Sequence, residues 1–141
     1  MICKTSVKIR NRDLFTRLQN TPADNDARLQ LGIAYARCGL YDEATALFNA
    51  ILKTEPAHAA VLNNMGNIHF LEKAYEKAVS AYAKAVAADP EDPLVRINLA
   101  MSLLKTGKKE EAKKAFNDAC GISPDTEKQY RSLGLQLIGT R

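Results

Sequence analysis

The stretch that decides the fold is NNMGNIHFLEKAYEKAVSAYAKAVAADP, residues 63–90. Two small residues, Gly66 and Ala78, are followed in it by the aromatic Tyr82 and then by Pro90. Moving 34 residues along the chain in either direction recovers the same kinds of residue in the same order. A fixed period of about 20 to 50 residues is typical of proteins that copy one small structural unit along the chain. The sequence therefore predicts a repeat protein.

Three full copies of the unit span residues 25–58, 59–92 and 93–126. We number the positions within each copy from 1 to 34. Positions 8 and 20 hold small residues, position 24 is aromatic, and position 32 is proline in every copy. In copy order these residues are Gly32, Gly66 and Ala100; Ala44, Ala78 and Ala112; Phe48, Tyr82 and Phe116; and Pro56, Pro90 and Pro124.

Each copy is predicted to fold as a helical hairpin. A break near Gly39, Lys73 or Gly107 separates two apolar helical segments, and the proline at position 32 stops the second helix. Small residues at positions 8 and 20 let the two helices approach closely, and the aromatic at position 24 fills the space beside that contact. We expect leucine at Gly66 or Ala78 to overpack this seam.

These recurring positions resemble the tetratricopeptide repeat family, whose unit is a 34-residue helix–turn–helix. The resemblance implies an all-α, right-handed α-solenoid of antiparallel helix hairpins. The sequence departs from the family pattern at position 4, where a tryptophan is frequent, and at the tyrosine position kept as Tyr35. The residues that replace them are Arg28, Leu62 and Arg96 at position 4, and His69 and Leu103 at the tyrosine position.

Both flanks continue the repeat frame. Pro22 lies 34 residues before Pro56, so the N-terminal segment is predicted to end in the second helix of a partial copy. The residues after the third copy are predicted to form a capping helix, which solvates the end of a repeat array. The chain could also be one part of a longer repeat protein. The predicted segments are residues 1–24 (N-terminal segment and helix), 25–58, 59–92 and 93–126 (repeats), and 127–141 (C-terminal capping helix).

Composition and charge favour a globular protein of one domain. The 141 residues contain no apolar run near the roughly 18 that a membrane span needs, and the first residues do not resemble a secretory signal. We therefore expect a cytoplasmic location and no membrane insertion. The net charge of +4 is modest, and its basic residues are interleaved with acidic ones near the C-terminus, so binding to nucleic acid is not expected.

The three cysteines, Cys3, Cys38 and Cys120, are odd in number and far apart. This spacing fits neither a disulfide framework nor a zinc site with paired ligands, so a reducing compartment is the simpler interpretation. Cys38 and Cys120 are interpreted as small apolar fillers. His69 takes the tyrosine position of the repeat and is interpreted as a histidine of the core or its boundary.

The sequence shows no pattern that favours catalysis. It has no nucleophile paired with a base, no metal ligands at a working spacing, and no glycine-rich phosphate loop. We therefore expect no enzymatic activity, no metal and no cofactor.

Partner binding is expected on the first helix of each copy. In the family that the sequence resembles, these helices line a concave groove, into which positions 2, 5, 6, 9, 12 and 13 project. The residues predicted to bind a partner are Leu29, Gln30, Ile33, Arg37, Asn63, Asn64, Asn67, Phe70, Leu71, Leu94, Ile97, Asn98, Met101, Lys105, Lys128 and Arg131.

Two features of this set favour a peptide or helix as the partner. Its many apolar residues predict an exposed apolar patch, which usually marks a binding surface. Position 6 is a carboxamide in all three copies, Gln30, Asn64 and Asn98. Because an amide both donates and accepts hydrogen bonds, a row of them can pair with the backbone of an extended peptide.

Two further resemblances concern the asparagines. The segment LNNMGN, residues 62–67, is similar to the asparagine-bearing repeat helices of O-linked N-acetylglucosamine transferases, where an asparagine ladder holds peptides. The set also resembles in part the carboxylate clamp of tetratricopeptide repeat co-chaperones. Asn67, Asn98 and Lys128 match that clamp. Asn63 stands where the clamp has a lysine, and Ser132 stands where it has an arginine, with Arg131 one place off. Such a match, together with nearby basic residues, implies an acidic partner.

The sequence thus predicts a non-catalytic adaptor for protein–protein interaction. A chaperone for secreted proteins and the targeting module of a larger enzyme are the alternatives. The asparagines could instead tie adjacent first helices together. The apolar residues of the predicted groove could be covered by the N-terminal segment of the chain. They could also be covered by a second molecule of the protein, which would make a homo-oligomer.

Overall fold

A computed structural model of the chain describes residues 2–138. Within that range the backbone is helical, with short turns and no strand, so the predicted all-α class is confirmed. The helices are α1 (Ile2–Arg10), α2 (Arg12–Asn20), α3 (Asn25–Arg37), α4 (Tyr41–Thr54), α5 (Ala59–Leu71), α6 (Tyr75–Ala88), α7 (Pro93–Lys105), α8 (Lys109–Ile122), α9 (Asp125–Gln129) and α10 (Arg131–Ile138).

Three hairpins, α3–α4, α5–α6 and α7–α8, begin 34 residues apart, as the repeat predicts. Each turns on one left-handed residue at position 15, with φ of 72° at Gly39, 61° at Lys73 and 80° at Gly107. In every turn the following residue donates its N–H to the carbonyl five residues earlier, which satisfies the end of the first helix. The turn therefore has one geometry in the three copies, although one copy builds it with lysine.

The first helix of each hairpin is capped from position 34 of the copy before it. Asp24 and Asp92 each accept a hydrogen bond of 2.9 Å from an N–H in the first turn of α3 and α7. His58 does the same for α5 through Nδ1, at 3.4 Å. Caps of this kind satisfy backbone donors that have no partner within the helix.

The two helices of a hairpin meet where the sequence predicts. A Cβ added at Gly66 would lie 2.5 Å from the ring of Tyr82, and Gly32 faces the ring of Phe48 in the same way. Because no larger side chain fits there, the glycine is what allows the helices to approach. The alanines at position 20, Ala44, Ala78 and Ala112, are fully buried.

The chain divides into two compact units, residues 1–61 and 62–141. In the first unit α3 packs against α2 and α4, and α1 packs against α2 and α3. A disulfide joins Cys3 of α1 to Cys38 at the end of α3, and the Lys4 ammonium pairs with Glu43. The prediction that the cysteines form no disulfide is therefore wrong for this pair.

The sequence could not reveal this disulfide because the two cysteines are 35 residues apart, and their distance in space depends on how the helices pack. Folding brings their Cα atoms within 6.1 Å, a separation that a disulfide spans without distortion of the backbone. The third cysteine, Cys120, is half-buried, and burial raises the pKa of its thiol, as the interpretation of an apolar filler requires.

In the second unit α7 packs against α6 and α8, and α10 packs against α8. Its buried cluster includes Ile97, Leu103, Phe116 and Leu137. Ile97 is only 1% exposed, so the prediction that it lines an open groove is wrong. The physical reason is that its side chain joins a cluster completed by α8 and α10, which repeat position alone does not show.

The C-terminal cap consists of two helices. α9 and α10 are separated by Tyr130, which leaves the helical conformation with φ of −111° and ψ of 31°. A similar break at Asn11 separates α1 from α2. The last residues of the predicted cap, 139–141, lie outside the described part of the chain.

Candidate functional site

The second unit carries a pocket of about 300 Å³ on the side of α5 and α7, which we call the α5–α7 pocket. Leu71 and Met101 in its wall are 61% and 37% exposed, although both are apolar. Exposed apolar side chains that lie together usually mark a binding surface. The residues that line this pocket are Asn67, Phe70, Leu71, Tyr82, Asn98 and Met101.

Asn67 satisfies a buried hydroxyl. The Tyr82 side chain is 2% exposed, and its Oη donates a hydrogen bond of 2.6 Å to Oδ1 of Asn67. Burial raises the pKa of this phenol above its ordinary range. A buried hydroxyl without a partner would be costly, which explains an asparagine at a position where the flanking copies are apolar. The corresponding pairs in those copies are Phe48 with Ile33 and Phe116 with Met101.

Asn98 ties two first helices together. Its Nδ2 donates a hydrogen bond of 3.1 Å to Oδ1 of Asn63, which joins α7 to α5. The alternative of asparagines that link adjacent helices therefore holds for this pair. The bond uses one of the two N–H donors of Asn98 and leaves its amide oxygen outside the bond. This amide has the capacity to bond to a peptide as well.

The other two carboxamides at position 6 lie on α3 and α5. Gln30 is exposed and donates a hydrogen bond of 2.9 Å to Asp26 of its own helix. Asn64 is half-buried. The three carboxamides thus have different surroundings, although the repeat gives them the same position.

Aromatic and basic side chains follow the α5–α7 pocket toward the ends of α5 and α7. The rings of Phe70 and Tyr75 meet edge to face, with centroids 5.2 Å apart. Nζ of Lys105 lies 5.9 Å from the centroid of Tyr75, within cation–π range. A second pocket, of about 420 Å³, lies here, and we call it the lysine pocket. Its lining residues are Lys73, Ala74, Tyr75, Glu76, Lys77, Lys105 and Thr106.

Of the three lysines that line this pocket, the residues predicted from the sequence include Lys105 but neither Lys73 nor Lys77. One signal was present for Lys73, because it replaces at position 15 the glycine of the other two copies. A lysine that accepts a left-handed backbone conformation is uncommon. No signal in the sequence placed Lys77 beside Lys105.

Lys128 and Arg131 lie in a different pocket, of about 510 Å³, with Phe116 and Leu135. None of the residues that line it also lines the α5–α7 pocket. Lys128 therefore lines a different pocket from Asn67 and Asn98, whereas the partial resemblance to a carboxylate clamp implied that the three residues share one site.

The predicted residues of the first copy lie on α3, in the first unit. Leu29 and Ile33 are half-buried there, whereas Gln30 and Arg37 are exposed. On α7, Leu94 is 51% exposed and lies at the start of the helix.

The remaining candidate features are His69, possible metal ligands and possible membrane-spanning helices. His69 is half-buried, and desolvation lowers the pKa of its imidazole, as expected for a residue at the core boundary. Between residues 2 and 138, histidine, cysteine and carboxylate side chains form no group of three that could hold a metal ion. In the same range no helix has the length and apolar character that a membrane span requires.

Family comparisons cover most of the chain. A family model described as "Tetratricopeptide repeat" matches residues 69–137, and a second with the same description matches residues 14–57 and 29–93. Among curated proteins, the RNA polymerase II-associated protein 3 of Rattus norvegicus is 34% identical over 83 residues. That match covers 59% of this chain but only 13% of the relative, so the chain spans a small part of the curated proteins it matches.

Solved structures resemble nearly the whole chain. The structure titled "MamA RS-1 ArsTM double mutant" has a TM-score of 0.81 and 25% identity, and the match covers 96% of this chain and 76% of that one. The first tetratricopeptide repeat domain of Spaghetti (RPAP3), bound to the HSP90 peptide SRMEEVD, has a TM-score of 0.72 and 21% identity. That match covers 82% of this chain and 94% of that one. The predicted fold class, an all-α solenoid of such repeats, is confirmed.

Proposed function

We propose that the chain, which belongs to the tetratricopeptide repeat family, is a non-catalytic adaptor that binds a peptide or helix of a partner protein in the α5–α7 pocket. The observation that carries this proposal is the exposure of Leu71 and Met101 beside the amides of Asn67 and Asn98. Apolar side chains supply affinity when they leave water, and amides bond to a peptide backbone whatever its sequence.

Two points support a protein partner rather than a small molecule. The pocket is open, and the contact between the rings of Phe70 and Tyr75 links it to the lysine pocket, which gives room for a chain segment. A relative of the same fold, the Spaghetti domain, is solved with a peptide bound. A chaperone for secreted proteins and a targeting module of a larger enzyme would both use such a site, and they stay the alternatives.

The test is a selection of peptides from a random twelve-residue library displayed on phage. Peptides enriched on the parent protein are synthesised, and their affinity is measured by fluorescence polarisation. We expect Leu71→Asp and Met101→Asp each to weaken binding by about tenfold or more, because each puts a charge in the apolar wall. Both side chains are exposed, so circular dichroism should show an unchanged helix content.

Leu135→Asp is the matched control, since Leu135 is 56% exposed in the same unit but lies outside the α5–α7 pocket. We expect it to bind the selected peptides as the parent does. Peptides that lose affinity for Leu135→Asp, yet bind Leu71→Asp and Met101→Asp like the parent, would show that the α5–α7 pocket is not the binding site.

A further inference from the structure

The α5–α7 pocket and the lysine pocket are linked by α7 and by a pair of aromatic rings. Met101 lines the first pocket and Lys105 lines the second, and the two residues are one helical turn apart on the same face. On the side of α5 and α6, Phe70 lines the first pocket and Tyr75 lines the second, and their rings meet edge to face. A bound segment that fills the apolar pocket therefore reaches the lysines within one turn of α7.

The lysine pocket is positively charged. Lys73, Lys77 and Lys105 line it together with a single acidic residue, Glu76. All three lysines are exposed, and none of them forms a salt bridge with a residue between 2 and 138. The Lys105 ammonium lies 5.9 Å from the centroid of Tyr75, whose edge-to-face partner Phe70 lines the α5–α7 pocket. A carboxylate on the partner would find complementary charge there.

Geometry sets the spacing that the partner needs. One helical turn from Met101 to Lys105 is a rise of about 6 Å along α7. In an extended peptide, side chains at i and i+2 lie on the same side, about 6.6 Å apart. An apolar side chain and a carboxylate two residues apart would thus fit the two pockets together.

We propose that the partner is an extended segment carrying an apolar residue and, two positions away, an aspartate or glutamate. The apolar side chain occupies the α5–α7 pocket, and the carboxylate pairs with Lys105, supported by Lys73 and Lys77. This inference rests on the proposed function, because it specifies the ligand of the same pocket.

The test uses phage libraries in which a fixed leucine or methionine is followed by a fixed acidic residue one, two or three positions away. Matched libraries carry asparagine or glutamine in place of the acidic residue. We expect the spacing of two to be enriched, with binding up to about fivefold tighter than that of its amide counterpart at low salt. This advantage should shrink in 0.5 M salt, since screening weakens exposed charge pairs.

Reversing the charge of Lys105 tests whether this residue makes the contact with the carboxylate of the peptide. Lys105→Glu should reverse the preference, so that peptides with lysine at the second position bind better than those with glutamate. Lys84→Glu makes the same change of charge at an exposed site of α6 outside both pockets, and it should leave the preference unchanged.

The outcomes separate the two proposals. Peptides that require Leu71 and Met101 but show no preference for an acidic residue at this spacing would overturn the inference and leave the adaptor function standing. Acidic peptides that bind Lys105→Glu as tightly as the parent would also overturn it. Failure of every library to yield a peptide sensitive to Leu71→Asp or Met101→Asp would overturn the proposed function itself.

Discussion

Residues 1–61 and residues 62–141 are built from the same helix hairpin, but the polar side chains at the start of α3 and those beside the α5–α7 pocket have different partners. In the first unit, charged groups pair with each other: Arg17 binds Asp24 and Asp26 at 2.9 Å, which lowers the pKa of Asp26. In the second unit, neutral amides bond to a phenol and to each other beside exposed apolar residues.

This comparison shows what the repeat positions do and do not fix. The small, aromatic and proline positions build the hairpins of both units. The variable positions decide whether the side chains on a helix face bond to other groups of the protein, as around Arg17, or stay exposed to solvent, as at Leu71 and Met101. Four changes test this division, from the largest expected effect to the smallest.

Loss of the disulfide should weaken the first unit most. Cys3→Ser should lower the free energy of unfolding of this unit by about 3 kcal/mol, because the bond closes a long loop in the unfolded chain. Thermal denaturation followed by circular dichroism, with and without a reducing agent, measures the effect. Cys120→Ser is the control, and it should melt near the parent. Equal melting of oxidised parent and Cys3→Ser would show that the disulfide does not stabilise the unit.

Filling the seam of the middle hairpin should come next. Gly66→Ala should cost about 1 to 3 kcal/mol, and Gly66→Leu more, because even a Cβ would meet the Tyr82 ring at 2.5 Å. Gly121→Ala makes the same change in α8, where a Cβ meets nothing within 4 Å. It should stabilise by about 0.5 to 1 kcal/mol through helix propensity. Urea denaturation should therefore show a lower free energy of unfolding for Gly66→Ala and a higher one for Gly121→Ala. Equal changes in the two variants would refute the close approach of the two helices at Gly66.

The hydrogen bond between Tyr82 and Asn67 should contribute about 1 kcal/mol. Tyr82→Phe and Asn67→Met each remove one partner, and together they give the middle copy the residue pair of the third. We expect the double variant to lose less stability than the sum of the single ones, by about 1 kcal/mol. Additive losses in urea denaturation would mean that the two residues act independently.

The smallest change concerns the turn at Lys73. Lys73→Gly should raise the free energy of unfolding by somewhat less than about 1 kcal/mol, because glycine adopts the φ of 61° without steric cost. Gly39→Lys makes the reverse change in the first unit and should destabilise. If both variants stabilised or both destabilised in chemical denaturation, the turns would not share one conformation.

Much of the fold could be predicted because it depends on residues that recur every 34 positions. The hairpins and the seam between Gly66 and Tyr82 follow from local periodicity and from side-chain size. The cap at position 34 could have been found too, since Asp24 and Asp92 are common capping residues. His58 holds the same position at the end of the first copy and obscured this pattern, because histidine is not a common capping residue.

The candidate site was less predictable because it depends on which neighbours cover each position. Ile97 occupies a predicted groove position, yet it is buried in a cluster that Leu137 of α10 helps to form. Lys128 fits the repeat frame, but it lines a pocket with Phe116 instead. Neither effect leaves a trace in local periodicity.

The sequence by itself determined the repeat, the helix hairpins and their turns, because each depends on residue types that recur at the same positions of the 34-residue copies. Only the tertiary structure decided the bond between Cys3 and Cys38, the pairing of Asn67 with Tyr82, and the meeting of an apolar pocket with a cluster of lysines. Such contacts join side chains from different helices, and their energy depends on distance and burial, which exist only once the helices have packed.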